Sequence, residues 1–185
     1  MIRELTADGK RRMESAVDAL RSEFNTVRTG RASTGLLDRL HVEYYGTRTP
    51  LKQLASLATP DPRTISITVY DKSAVNAVVR AIQESDLALT PNAEGSVIRL
   101  NIPALTAERR KDLVRLVRGM AEDGRVAVRN VRRDVMHDLK ELKKEGEVSE
   151  DDEHRAEEDV QKLTDGFIEK INDILHHKEE EILEI

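Results

Sequence analysis

The feature that most constrains this chain is the run from residue 106 to residue 185. There apolar residues recur mostly every three or four positions, in two stretches separated at Gly146. Before the break, Leu113, Val117, Met120, Gly124, Ala127, Val131, Val135, Leu139 and Leu142 fall on one helical face. After it, Ala156, Val160, Leu163, Phe167, Ile171, Ile174, Ile182 and Ile185 fall on another. The first stripe predicts a helix of nearly 40 residues, roughly 60 Å long at 1.5 Å per residue. Thr106 is an acceptable N-cap for it. Ser149 is a plausible cap for the second helix, with Glu150 to Glu153 in the first turn, where the helix dipole favours acids. Helices with such polar flanks are not stable alone, so their stripes must meet a partner. A third stripe supplies one: Met13, Val17, Leu20, Phe24 and Val27, with Leu5 two turns earlier, ending at Gly30. Three stripes predict a three-helix bundle.

The middle of the chain keeps a different period. His41 to Tyr45 reads as a strand running into a turn at Gly46-Thr47, with Pro50 closing the return. Thr64 to Tyr70 alternates polar and apolar, as a half-buried strand does. Asp71 caps a short helix carrying Val75, Val78, Val79 and Ile82. Asn92 to Gly95 reads as a turn, and Val97 to Ile102 as a strand ended by Pro103. The expected fold is therefore α+β: a long three-helix bundle from residues 1–30 and 105–185, with a small β/α domain, 31–104, inserted between its first and second helices. Two short crossings join the parts, one through Arg31, Ala32 and Gly35 and the other through Pro103, Ala104 and Leu105. A double linker of this kind is a candidate hinge.

Composition fits long solvated helices better than one thick core: 38% of residues are hydrophobic, 35% are charged, 3% are aromatic and none is Trp. There is no Cys, which removes disulfides, thiolate metal sites and Cys catalysis. No stretch approaches the ~18 apolar residues of a membrane span, and Met1 to Leu5 has no apolar signal region. The expectation is a cytoplasmic monomer without membrane contact. The net charge of −5 hides a strong polarity. Residues 1–31 carry 7 basic and 5 acidic groups, residues 107–134 carry 9 and 5, and residues 145–185 carry 4 and 16. The basic segments could meet phosphate, and the acidic one could not.

No active-site constellation stands out in the sequence. No Gly-rich phosphate loop of the usual spacing is present; Gly119 and Gly124 lie within a helix and lack a following Lys-Ser/Thr. The five His are scattered, and His176 and His177 point to different sides. The Glu150–Glu153 run reads as a solvated helix start rather than a cation site. No cofactor or metal is expected.

The positive signal is arginine. Arg118, Arg125, Arg129 and Arg132 fall at spacings of seven, four and three, forming one helical stripe about 110° from the apolar one. The bland reading is an exposed face paired to acids, since Glu122 lies at helical spacing between Arg118 and Arg125. Against it, Arg125 to Arg133 contains four Arg and no acid. Arg presents a planar fork suited to phosphate. Arg28 and Arg31 end the first helix, where cations also suit the dipole. Tyr44-Tyr45 would place at least one ring inward, which leaves little for base stacking.

At these residues the sequence resembles the ribosome recycling factor family, over essentially its whole length. The matching segments are Val27-Arg28-Thr29-Gly30-Arg31-Ala32-Ser33, Val42-Glu43-Tyr44-Tyr45-Gly46-Thr47, and Gln53-Leu54-Ala55-Ser56. Further on are Leu105-Thr106 with Glu108 to Leu113, then Arg125-Val126-Ala127-Val128-Arg129-Asn130-Val131-Arg132-Arg133-Asp134, and Asp159 to Asp165. The resemblance implies an L-shaped arrangement of bundle and β/α domain joined by a hinge. It implies a non-enzymatic protein that binds the post-termination ribosome along large-subunit rRNA and works with elongation factor G and GTP to separate the subunits and release mRNA and tRNA. By resemblance Arg132 and Arg129 match the main RNA contacts, and Arg28, Arg31 and Arg110 supporting ones; Arg125 and Arg133 complete the candidate set. Two other classes make different demands. A helical adaptor for other proteins would need an exposed apolar patch, and a hydrolase would need paired carboxylates in a deep pocket.

Overall fold

Residues 1–184 are described in a computed structural model. In chain order the elements are α1 (Ile2–Thr26), a 3-10 turn (Thr34–Leu37), β1 (His41–Tyr44), β2 (Thr47–Pro50), α2 (Leu51–Leu54), β3 (Ala55–Asp61), β4 (Thr64–Val69), a second 3-10 turn (Lys72–Ala74), α3 (Val75–Glu84), β5 (Pro91–Glu94), β6 (Val97–Asn101), α4 (Ala107–Lys144) and α5 (Glu150–Leu183). The contacts divide the chain into two units: Met1–Arg28 with Ala107–Glu184, and Thr29–Thr106.

The first unit is the bundle of α1, α4 and α5. Its core stacks Met13, Val17, Leu20 and Phe24 of α1 on Leu113, Val117, Ala121, Val128, Val131, Val135 and Leu139 of α4, and on Ala156, Val160, Phe167, Ile171 and Ile182 of α5. Each such side chain, fully buried, stabilises the fold by ~1.5–3 kcal/mol for the larger ones. The buried line differs from the expected stripe by one residue in places. Ala121 and Val128 are buried where Met120 and Ala127 are only partly so, and Thr164 is buried where Leu163 is partly so. A helix facing two partners buries a wider arc than a single-period line. Ile185 lies outside the described residues. At its C-terminal end α4 stops on Gly146 at φ +76, with Gly146 N–H donating to Lys143 O (3.0 Å) and Glu147 N–H to Leu142 O (2.9 Å), a Schellman closure. Ser149 Oγ then accepts from Asp152 N–H at 3.1 Å and opens α5. Lys143 Nζ lies 3.3 Å from the buried Glu153 Oε2, so the turn is fastened by charge as well.

The second unit is built on a four-stranded antiparallel sheet, order β3-β4-β6-β5, beside a β1-β2 hairpin. Ile65 faces Leu100 and Ile67 faces Ile98 in register, and these pack with Val78, Ile82, Leu37, Val42 and Leu51 into one core. Asp71 caps as expected: its Oδ1 accepts from Ser73 N–H at 2.9 Å, and its Oδ2 accepts from Tyr44 O–H at 2.8 Å. These bonds, first those from Ser73, hold its carboxyl below the ordinary 3.8. Asn92 to Gly95 is not a turn throughout. Pro91–Glu94 is an edge strand paired to β6, and the reversal is confined to the residues after it, with Gly95 at φ +61.

Candidate nucleic-acid interface

The arginines of α4 divide into two kinds, and the division follows from spacing. Arg118, Arg125 and Arg132 are seven apart, two helical turns, so they return to one edge of the helix. That edge borders α5. Arg118 Nε donates to Glu179 Oε1 at 2.9 Å, Arg125 Nε to Asn172 Oδ1 at 2.9 Å, and Arg132 Nε to Gln161 Oε1 at 2.7 Å. Gln161 Nε2 in turn donates to Asp165 Oδ1 at 2.9 Å. The result is a ladder across the α4–α5 seam, of the kind side positions form along coiled coils. Arg132 and Arg125 are half-buried in it, and their Nε atoms are used by the fold.

The expectation that the segment from Arg125 to Arg133 has no acid to neutralise it is overturned by a residue just before it. Glu122 Oε2 accepts from Arg125 Nη1 at 2.9 Å and its Oε1 from Arg129 Nη1 at 3.4 Å. Glu122 is one turn from Arg125 and two from Arg129, so a single carboxylate reaches both. Its pKa is lowered by these arginines, Arg125 foremost. The pairs are exposed enough that each contributes little to stability. They set the resting direction of the two guanidiniums without burying them.

Unlike Arg118, Arg125 and Arg129, Arg132 has no carboxylate partner among the described residues and bonds to the neutral amide of Gln161, so its charge is held in place without being neutralised at that contact. Arg133, exposed, makes no ion pair or side-chain hydrogen bond among the described residues, and neither does Arg28. Arg110, near the start of α4, is half-buried, and its Nε is buried without a hydrogen-bond partner among the described residues. Arg31 lies in the other unit and has contacts of its own. Of the expected set, then, Arg110, Arg125, Arg129, Arg132 and Arg133 share α4, Arg28 follows α1 in the same unit, and Arg31 does not belong to that unit. Sequence reasoning missed the α5 brackets Gln161, Asn172 and Glu179. The signal was available: Asn172 and Glu179 are also seven apart, running antiparallel to the arginines.

Of the expected hinge residues, Arg31, Pro103, Ala104 and Leu105 lie outside regular elements. Ala32 N–H is tied to Pro62 O at 2.7 Å, and next to the other crossing Ile102 N–H is tied to Arg63 O at 2.7 Å. Gly35 sits inside the first 3-10 turn. Gly30, at φ +75, touches Leu105: a Cβ there would stand 3.0 Å from Leu105 Cγ. Among the described residues no group of three or more His, Asp or Glu is arranged to hold a metal ion. Among the described residues no helix is long and apolar enough to cross a membrane.

Fold and surface together define a class: a three-helix bundle with an inserted antiparallel α/β unit and an arginine-bearing edge on its longest helix. Within that class the match is specific. A model of the family described as ribosome recycling factor matches residues 20–183. The ribosome-recycling factor of Rubrobacter xylanophilus is 55% identical over 179 residues, covering 97% of this chain and 96% of that one. That of Shouchella clausii is 53% identical over 185 residues, the whole of both chains. Among solved structures, a solution structure of the ribosome recycling factor superposes with a TM-score of 0.70 at 42% identity, covering 100% and 98% of the two chains. A structure of the T. thermophilus ribosome recycling factor with E. coli elongation factor G on the E. coli post-termination complex gives a TM-score of 0.61 at 47% identity, covering 99% of each. The chain belongs to the ribosome recycling factor family.

Proposed function

We propose that this chain binds the post-termination ribosome and, with elongation factor G and GTP, promotes separation of the subunits and release of mRNA and tRNA. The observation that carries the reading is full-length identity above half to proteins named for that activity, joined to a relative structure described on the post-termination complex with elongation factor G. The chain itself makes and breaks no bonds in this reading, needs no cofactor, and works in the cytoplasm as a monomer.

The physics is docking followed by displacement. Arg132 and Arg129 are the principal contacts to large-subunit rRNA phosphates, with Arg28, Arg31, Arg110, Arg125 and Arg133 in support. A guanidinium already bracketed through Nε keeps its two Nη groups for a bidentate phosphate contact and loses little freedom on binding. Gln161 gives Arg132 that preparation. The unit Thr29–Thr106 is the body moved by the motor protein, with bending at residues 28–31 and 103–106. Ala32 and Gly35, tied into the sheet unit, move with it.

The test is cosedimentation of Arg132→Ala with purified ribosomes across a salt series, with circular dichroism to confirm the helix. Loss of one charge-assisted contact weakens binding by roughly 1–3 kcal/mol. It also flattens the salt dependence, because fewer counterions are released. Arg155→Ala, on the acidic α5, serves as control and binds as the parent does. Unchanged affinity and slope for folded Arg132→Ala would remove it from the interface.

A further inference from the structure

The four-stranded sheet of the unit Thr29–Thr106 covers one of its faces and leaves the other open. The covered face carries Ile65, Ile67, Ile98 and Leu100. Alternate residues of the same strands point the other way. In register they form three rows. Ser66, Arg99 and Asn92 make the middle row, Thr68, Val97 and Glu94 the row on one side, and Asp61, Thr64 and Asn101 the row on the other. Members of all three rows line an open groove of about 720 Å³. One charge stands in each row, and the signs alternate: Glu94, Arg99, Asp61. Opposite charges stabilise a sheet when they face each other across a strand pair. Here none does: Glu94 faces Val97, Arg99 faces Ser66 and Asn92, and Asp61 faces Thr64. Arg99 and Glu94 are exposed and make no ion pair or side-chain hydrogen bond among the described residues. Asp61 serves the β3–β4 turn, its Oδ1 accepting from Arg63 N–H at 2.9 Å. A solvated sheet face calls for polar residues, but not for charges that alternate row by row without pairing.

We propose that this open sheet face is a docking groove for an extended protein segment whose charges run basic, acidic, basic at every second residue. Rows two residues apart are separated by ~6.7 Å, which is also the interval between same-side side chains of an extended strand. The acid of such a segment meets the Arg99 guanidinium, whose fork suits a carboxylate, with the Ser66 hydroxyl and the Asn92 amide beside it as further donors. The basic side chains on either side meet Glu94 and Asp61. Those two carboxylates repel a polyanion, so the charge order selects a protein segment over the phosphate backbone of RNA. Of apolar residues the groove has Pro60 and Ala93. Binding is therefore polar and weak, as in transient complexes.

The test is titration of the isotopically labelled full chain with the peptide acetyl-Thr-Lys-Thr-Glu-Thr-Lys-Thr-amide, followed by backbone amide shifts. Saturable shifts should centre on Ser66, Asn92 and Arg99. The sign-reversed peptide, with Glu, Lys and Glu at the three charged places, should bind roughly ten-fold more weakly or worse, because each of its charges then meets a like charge. Arg99→Glu should weaken binding of the first peptide by a similar factor and should prefer a peptide with Lys at all three places. Arg99 is exposed, so the variant should fold, and circular dichroism checks that it does. Arg80→Glu, on the exposed side of α3, serves as control and binds the first peptide as the parent does. Equal binding of the two peptides, shifts centred outside the groove, or no shift at several-millimolar peptide would overturn the proposal. The same shifts from inorganic phosphate, at the same affinity, would reduce the face to a simple anion site and overturn it too. Binding of a single-stranded RNA oligonucleotide to this face would overturn the choice of a protein segment.

Discussion

Gly9 of α1 packs directly against Val135 of α4. A Cβ on Gly9 would stand 2.8 Å from Val135 Cγ2, and valine in a helix has essentially one χ1 well, so that methyl cannot turn aside. Gly9→Ala should therefore destabilise by about 1–3 kcal/mol of overpacking, less the ~1 kcal/mol that alanine returns in helix propensity. Adding Val135→Ala should recover part of that loss, and a double-mutant cycle in urea would show the coupling. Strict additivity would mean the two residues do not compete for the same space. Gly124 makes the opposite case. A Cβ there would meet Ile171 Cδ1 and Leu20 Cδ2 at 3.5 Å, ordinary contact. Gly124→Ala should then stabilise the bundle by ~1 kcal/mol, and a fall in the urea midpoint would contradict the packing described.

At the scale of elements, the α4–α5 seam couples packing to the arginine surface. Gln161 holds Arg132 at 2.7 Å and is itself held by Asp165. Gln161→Leu should leave thermal stability nearly unchanged yet weaken ribosome binding by roughly 0.5–1.5 kcal/mol, the value of a hydrogen bond that orients. The effect should be smaller than that of Arg132→Ala; equal affinity to the parent would show that the bracket does not prepare Arg132. Periodicity made the long helices and the β4 and β6 strands legible because each buries one clear face. It did not reveal β3 and β5. These are the sheet's edge strands, and both contain proline, Pro60 and Pro91, which reads as turn chemistry but is tolerated at an edge. Buried Thr164 was also invisible, because its hydroxyl donates to Val160 O at 2.8 Å and so satisfies itself within the helix. The arginine face was legible as charge, but not its division into bracketed and free members, which depends on what α5 places opposite.

The whole molecule is two units joined by two short crossings, at 28/29 and 106/107. The crossings are distinguished by Gly30 at φ +75 on one side and Pro103 on the other. Since the chain has no cysteine, one introduced in each unit gives a crosslink that is reversible by reductant. The crosslinked protein should bind ribosomes and fail to recycle them, and reduction should restore activity. Normal recycling while crosslinked would rule out movement of Thr29–Thr106 against the bundle. The most direct measurement of the central claim is light scattering from post-termination ribosomes mixed with this protein, elongation factor G and GTP. Scattering should fall as subunits part, stay level when this protein is left out, and fall more slowly with Arg132→Ala. Scattering that stays flat with the folded protein present, under conditions where a relative from the same family splits the same ribosomes, would contradict it.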